Sequence, residues 1–74
     1  MMRKPSDEPR ALSTREREVL VLITEGLSYK QIGWRLHLSV KTVDTHKYKA
    51  MIKLGIENRA GLIRYAIREG LVEA

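Results

Sequence analysis

Cysteine is absent from the 74 residues, which removes both a disulfide framework and a thiolate zinc site as means of support. A chain this short buries only roughly 60% of the surface it exposes when unfolded, so its core is thin and helix packing alone has to hold it. Long apolar runs are missing too. None approaches the ~20 residues of a membrane span, and Met1-Met2-Arg3-Lys4 is not followed by a signal-peptide core. A soluble protein in a reducing, cytoplasmic setting fits these absences. Histidine is scarce, with only His37 and His46 present. There is no glycine-rich phosphate loop and no H-E-x-x-H pair, so no enzymatic activity, cofactor or metal is expected. His46, with Thr42 and Lys49 as neighbours, reads as structural.

Acidic residues are almost missing from the middle of the chain. Residues 1–27 carry five basic and five acidic side chains, and residues 55–74 carry three of each, so both ends are neutral. Between Ser28 and Leu54 stand Lys30, Arg35, Lys41, Lys47, Lys49 and Lys53, opposed only by Asp44, and this segment holds the whole formal charge of +5. Charge of one sign concentrated in one segment is the footprint of a nucleic-acid surface. The plain alternative is a solvated lysine face.

Both prolines, Pro5 and Pro9, fall in residues 1–11 with Ser6, Asp7 and Glu8. That stretch is expected to be a disordered tail or linker ahead of a domain at 12–74. The domain reads as helical throughout. Ser13-Thr-Arg-Glu16 forms a capping box, and Gly26 is free to take the left-handed conformation past the helix end. Val19, Leu20, Leu22 and Ile23 gather on one side of this first helix, leaving Arg15 and Arg17 solvated. Ser28 and Gln31 form a second box, opening a short helix over about 28–36 that contains Gly33. After a turn at His37-Leu38, Ser39 caps a third helix over about 40–54, closed by Gly55. Two helices joined by so short a turn, with a small residue in the first, fit a helix-turn-helix, although tight helical hairpins also occur in proteins that bind no DNA. Gly33 lowers helix stability by roughly 1 kcal/mol relative to alanine, so a packing reason for it is expected.

On the third helix, at ~100° per residue, Asp44, Thr45, Tyr48 and Ile52 fall within roughly 60° of Lys41. Val43, Ala50 and Leu54 form the opposite, core-facing stripe, with His46 at its edge. A helix with one face of mixed hydrogen-bonding groups suits the major groove of DNA. Lys47, Lys49 and Lys53 flank that face, where phosphates would lie. Asp44 in such a place could accept from the amino group of cytosine; alternatively it only pairs along the helix with Lys41 or Lys47. A fourth helix runs from its cap at Asn58 to Gly70. Its Leu62, Ile63, Ala66 and Ile67 are expected to cover the core, with Gly61, Arg64, Tyr65 and Arg68 on the other face.

The segments "LSTREREVLVLITEG", "SYKQIGWRLHLSVKTVDTH" and "IKLGIENRAGLIRYAIREGL" together resemble the LuxR-type (GerE/FixJ-type) helix-turn-helix domain of bacterial transcription regulators, from Leu12 to about Val72. The resemblance implies an all-α, four-helix domain that serves as the output part of a larger regulator and binds double-stranded DNA with its third helix in the major groove. Carried onto this chain, it assigns base reading to Asp44, Thr45 and Tyr48, with Lys41 on base or phosphate. Backbone contacts fall on Ser28, Tyr29, Lys30, Thr42, Lys47 and Lys49. The resemblance also implies a homodimer contact on the fourth helix, where the face of Gly61, Arg64, Tyr65 and Arg68 could supply it or be only a solvated face with one tyrosine, and RNA polymerase is a further candidate partner at the nucleoid.

Departures from the family pattern stand at Tyr29, often asparagine; Gly33, usually alanine; Trp34, commonly polar and here expected to be partly buried, with exposure or contact with the DNA backbone as alternatives; and Gly61, often acidic. Two rival readings use the same features. One is a promoter-reading domain of a sigma factor, against which the K-L-G exit and the "NRAGLIRYAIREGL" helix argue. The other is a helical interaction module whose basic face meets an acidic protein.

Overall fold

The computed structural model describes residues 12–71, which form α1 (Thr14–Thr24), α2 (Tyr29–Leu36), α3 (Val40–Leu54) and α4 (Arg59–Arg68). No strand occurs among the described residues. The tail expected over residues 1–11 lies outside them.

Every helix begins where a side-chain oxygen can satisfy free backbone amides. Ser13 Oγ accepts from the Glu16 amide at 3.1 Å, and Glu16 Oε1 accepts in return from the Ser13 amide at 2.9 Å. Ser28 and Gln31 repeat this reciprocal pair. Ser39 Oγ accepts from the Thr42 amide at 3.1 Å, and Asn58 Oδ1 from the Gly61 amide at 2.8 Å. All four caps stand where the sequence pattern puts them. Gly26, past the end of α1, takes φ 95°.

The core is built from Val19, Leu20, Leu22 and Ile23 of α1, Ile32 of α2, Val43 and Ala50 of α3, and Leu62 of α4, joined by Leu12. The α3 helix packs on both α1 and α2, whereas α4 packs chiefly on α1. Arg59 ties α4 to α1 by donating from Nη2 at 3.0 Å to the Ile23 carbonyl, which also accepts from the Gly26 amide.

The packing reason for Gly33 lies in the turn. His37, at φ 61° and ψ 44°, is left-handed, and its amide bonds back to the Gly33 carbonyl. The Leu38 amide donates to the same carbonyl at 2.8 Å. This folding-back sets the Leu38 carbonyl oxygen against Gly33, where a Cβ would run into it. With no side chain at Gly33 the carbonyl can approach this closely, and the alanine usual here in the family would push it outward.

Two expectations are corrected. Trp34 is 85% exposed rather than partly buried. It stands two residues, about 200° of helix, from Ile32, and Ile32 is the α2 side chain that the core takes in completely. Ile67 is also exposed, at 39%. Leu62 and Ala66, four residues apart, hold the buried line of α4, and Ile67 falls about 140° around the helix from Leu62.

Candidate nucleic-acid interface

With Val43 and Ala50 fully buried, the orientation of α3 is fixed and its opposite side faces solvent. Lys41, Asp44, Thr45 and Tyr48 are all exposed there, Tyr48 at 63%, and Ile52 continues the line at 61%. The four side chains predicted to read bases therefore share one open stripe. Thr45 Oγ1 donates to the Lys41 carbonyl at 3.0 Å, which leaves its oxygen lone pairs turned outward as acceptors. Asp44 Oδ1 lies 3.8 Å from Lys47 Nζ. An exposed pair at that distance contributes only a few tenths of a kcal/mol, so it biases the carboxylate without fixing it.

Lys47 is the most constrained lysine of the predicted phosphate set. Besides Asp44, its ammonium stands 5.3 Å from the centre of the Tyr29 ring, within cation–π range. Tyr29 is itself half-buried against the core, so α2 aims a side chain that belongs to α3. Lys49 and Lys30 are exposed. The hydroxyls of Ser28 and Thr42 are engaged locally: Ser28 Oγ accepts the Gln31 amide, and Thr42 Oγ1 accepts from Ser39 Oγ at 2.9 Å. Each hydroxyl still has its own proton to donate outward. Ser28 to Lys30 lie at the start of α2, while Thr42, Lys47 and Lys49 belong to α3, so the predicted backbone set divides between two helices.

Lys53 takes a different part from the one its position on the helix wheel implied. Its Nζ donates to Glu16 Oε1 at 2.9 Å, and Glu16 is 5% exposed. Burial pushes the Glu16 carboxyl up, but the hydrogen bond from Lys53, those from Ser13 and the lysine charge together outweigh it, and the net shift is downward from the ordinary value. The sequence shows Glu16 as half of a capping box but carries no signal for its second partner, Lys53, which lies 37 residues away.

On α4, Gly61, Arg64, Tyr65 and Arg68 border one shallow groove of about 370 Å³ together with the Leu54–Asn58 connection. Arg64 and Arg68 are exposed and Tyr65 is half-buried. Among the described residues there is no group of three or more His, Asp or Glu side chains placed to hold a metal ion, and no helix is long and apolar enough to cross a membrane.

Residues 10–66 match the family model described as bacterial regulatory proteins, luxR family. The chain belongs to this family. Its helix-turn-helix is thus the DNA-binding unit of a transcription regulator. The oxygen regulatory protein NreC of Staphylococcus aureus strain MRSA252 is 44% identical over 68 residues, which cover 92% of this chain and 31% of that protein. The protein of the same name from strain JH9 is 43% identical over the same length. This LuxR-family chain thus spans about a third of the length of the curated relatives it matches.

Proposed function

We propose that this LuxR-type domain recognises a specific duplex sequence as a dimer, one recognition helix per half-site, and serves as the output unit of a transcription regulator in the cytoplasm. The observation that carries the proposal is the open stripe of α3, where Lys41, Asp44, Thr45 and Tyr48 face solvent together while the opposite side of the helix is buried. These four read base edges. Asp44 accepts from a cytosine amino group, Lys41 donates to guanine or to phosphate, and Thr45 and Tyr48 supply hydroxyls and, through the Tyr48 ring, apolar contact. Ser28, Tyr29, Lys30, Thr42, Lys47 and Lys49 hold the sugar-phosphate backbone and fix register without reading sequence. The exposed face of α4 at Gly61, Arg64, Tyr65 and Arg68 pairs two copies about a two-fold axis.

Selection of bound duplexes from a random library tests this reading. The enriched sites are expected to contain two inverted half-sites about one helical turn apart. Binding is expected to weaken with salt at a logarithmic slope near −0.9 for each phosphate neutralised. A flat salt response, or no enrichment over random DNA, would overturn it.

A further inference from the structure

Trp34 is the sole tryptophan of the chain, and an indole 85% open to water leaves a large apolar surface unused by the core. It does not stand alone. Trp34, Gly33, Leu38 and Val40 line one broad groove of about 750 Å³, with Lys30 and Arg35 also on its walls. Val40 is 49% exposed. A second groove on the α1–α2 side of Trp34 is lined by Leu27 and by the same Lys30 and Arg35, with Glu25 as its acidic member. The indole thus divides an apolar surface whose charged rim is basic along α2. Nothing in the DNA reading uses Trp34, Arg35 or Val40.

We infer that this outer face of α2 is a docking surface for a second protein, through an acidic segment that carries one large apolar side chain. The apolar side chain lies against Trp34 and Val40, and a flanking carboxylate meets Arg35, which can bind it in two-pronged fashion. Two features favour protein over nucleic acid here. A duplex presents phosphate and sugar on its outside and has no apolar group to cover both an indole and a valine, whereas tryptophan and arginine at the centre of a patch are the residues that dominate protein interfaces. The rim also has the charge that steers an acidic partner and rejects basic ones. Because Trp34, Arg35 and Val40 belong neither to the Lys41–Tyr48 stripe nor to the proposed backbone contacts, the domain can hold DNA and this partner together, as a regulator must if it is to pass on what it has bound.

The probe is a set of short fluorescein-labelled peptides rich in Asp and Glu, each with a single central Leu, Phe or Trp, titrated with the intact chain and followed by anisotropy. Peptides with Leu or Phe are followed in parallel by the emission of Trp34, the only tryptophan in those mixtures. Saturable binding is expected, with a blue shift of Trp34 emission and no displacement by duplex DNA. Trp34→Ala and Arg35→Glu are each expected to weaken peptide binding about tenfold or more while leaving duplex affinity within about twofold for Trp34→Ala. Circular dichroism confirms that both variants fold. The inference fails if no peptide binds, or if peptides lacking the apolar residue bind equally well. It also fails if duplex DNA displaces the peptide and shifts Trp34 emission, which would give this face to the DNA backbone. Those outcomes leave the reading of bases by α3 standing, since library selection tests it separately.

Discussion

The Lys53 ammonium, in the last turn of α3, donates at 2.9 Å to the same Glu16 oxygen that accepts from the Ser13 amide at the start of α1. One buried carboxylate therefore caps a helix and ties that helix to α3. Its carboxyl is held below the ordinary range, so its contribution to stability is present above the unfolded-state value of about 4.3 and is lost as pH falls through the lower folded-state value. Urea titrations between neutral pH and pH 3 are expected to show a loss of stability that Glu16→Gln largely removes. Glu16→Ala is expected to cost about 1–3 kcal/mol at neutral pH, through the lost cap and the lost partner of Lys53. An acid limb unchanged in Glu16→Gln would show that other carboxylates govern it.

Gly33 gives a prediction opposite in sign to helix propensity. Propensity alone has Gly33→Ala stabilising by roughly 1 kcal/mol, but the added methyl meets the Leu38 carbonyl, a backbone atom that cannot turn aside. Destabilisation by about 1–3 kcal/mol, the range for an overpacked site, is expected in thermal or chemical denaturation. A raised midpoint would mean that the turn relaxes freely.

Asp44→Ala is expected to broaden the set of duplexes recovered by selection and to leave or raise affinity for random DNA. A carboxylate at the groove repels phosphate while it chooses a base. Were Asp44 only a partner of Lys47, recovered sequences would be the same for both proteins.

Lys47→Met is expected to reduce the salt slope of DNA binding by about 0.9 with no change of preferred sequence. Tyr29→Leu removes the ring beside the ammonium and is expected to weaken binding less than the loss of the lysine itself, since the charge remains. Equal slopes for wild type and Lys47→Met would take Lys47 off the phosphates.

Tyr65→Glu, in the groove of α4, is expected to abolish cooperative binding to paired half-sites and to leave affinity for a single half-site within about threefold, an additive expectation for sites without shared partners. Electrophoretic mobility shifts on one-site and two-site duplexes separate these effects. Preserved cooperativity would place the pairing surface elsewhere.

Much of this architecture was legible in the sequence because it is local. Ser13, Ser28, Ser39 and Asn58 announce helix starts through partners three residues away, and Val43 and Ala50 announce the buried side of α3 through helical period. The stripe from Lys41 to Tyr48 follows from the same period, since a side that is not core must be open. What stayed hidden depends on how helices cross. Glu16 meets Lys53 over 37 residues of chain and Arg59 meets the Ile23 carbonyl over 36, separations at which spacing carries no signal. The sequence favours partial burial of Trp34 and a core face that includes Ile67, but Ile32 on α2 and the Leu62–Ala66 line on α4 take the inner positions. The reason for Gly33 required the path of the turn, which brings a carbonyl five residues ahead back onto it.

The uneven seating of the helices has a dynamic consequence. The α3 helix is gripped from two sides and tied at its far end by Lys53, while α4 rests chiefly on α1 through Leu62, Ala66 and the single arm of Arg59. Amides of α4 are therefore expected to exchange with solvent through a partial opening that leaves the other three helices closed, at lower free energy than those of α3. Such an opening would loosen the surface proposed to pair two copies without blurring the one proposed to read DNA, so the strength of pairing can be adjusted through α4 while the sequence recognised stays the same.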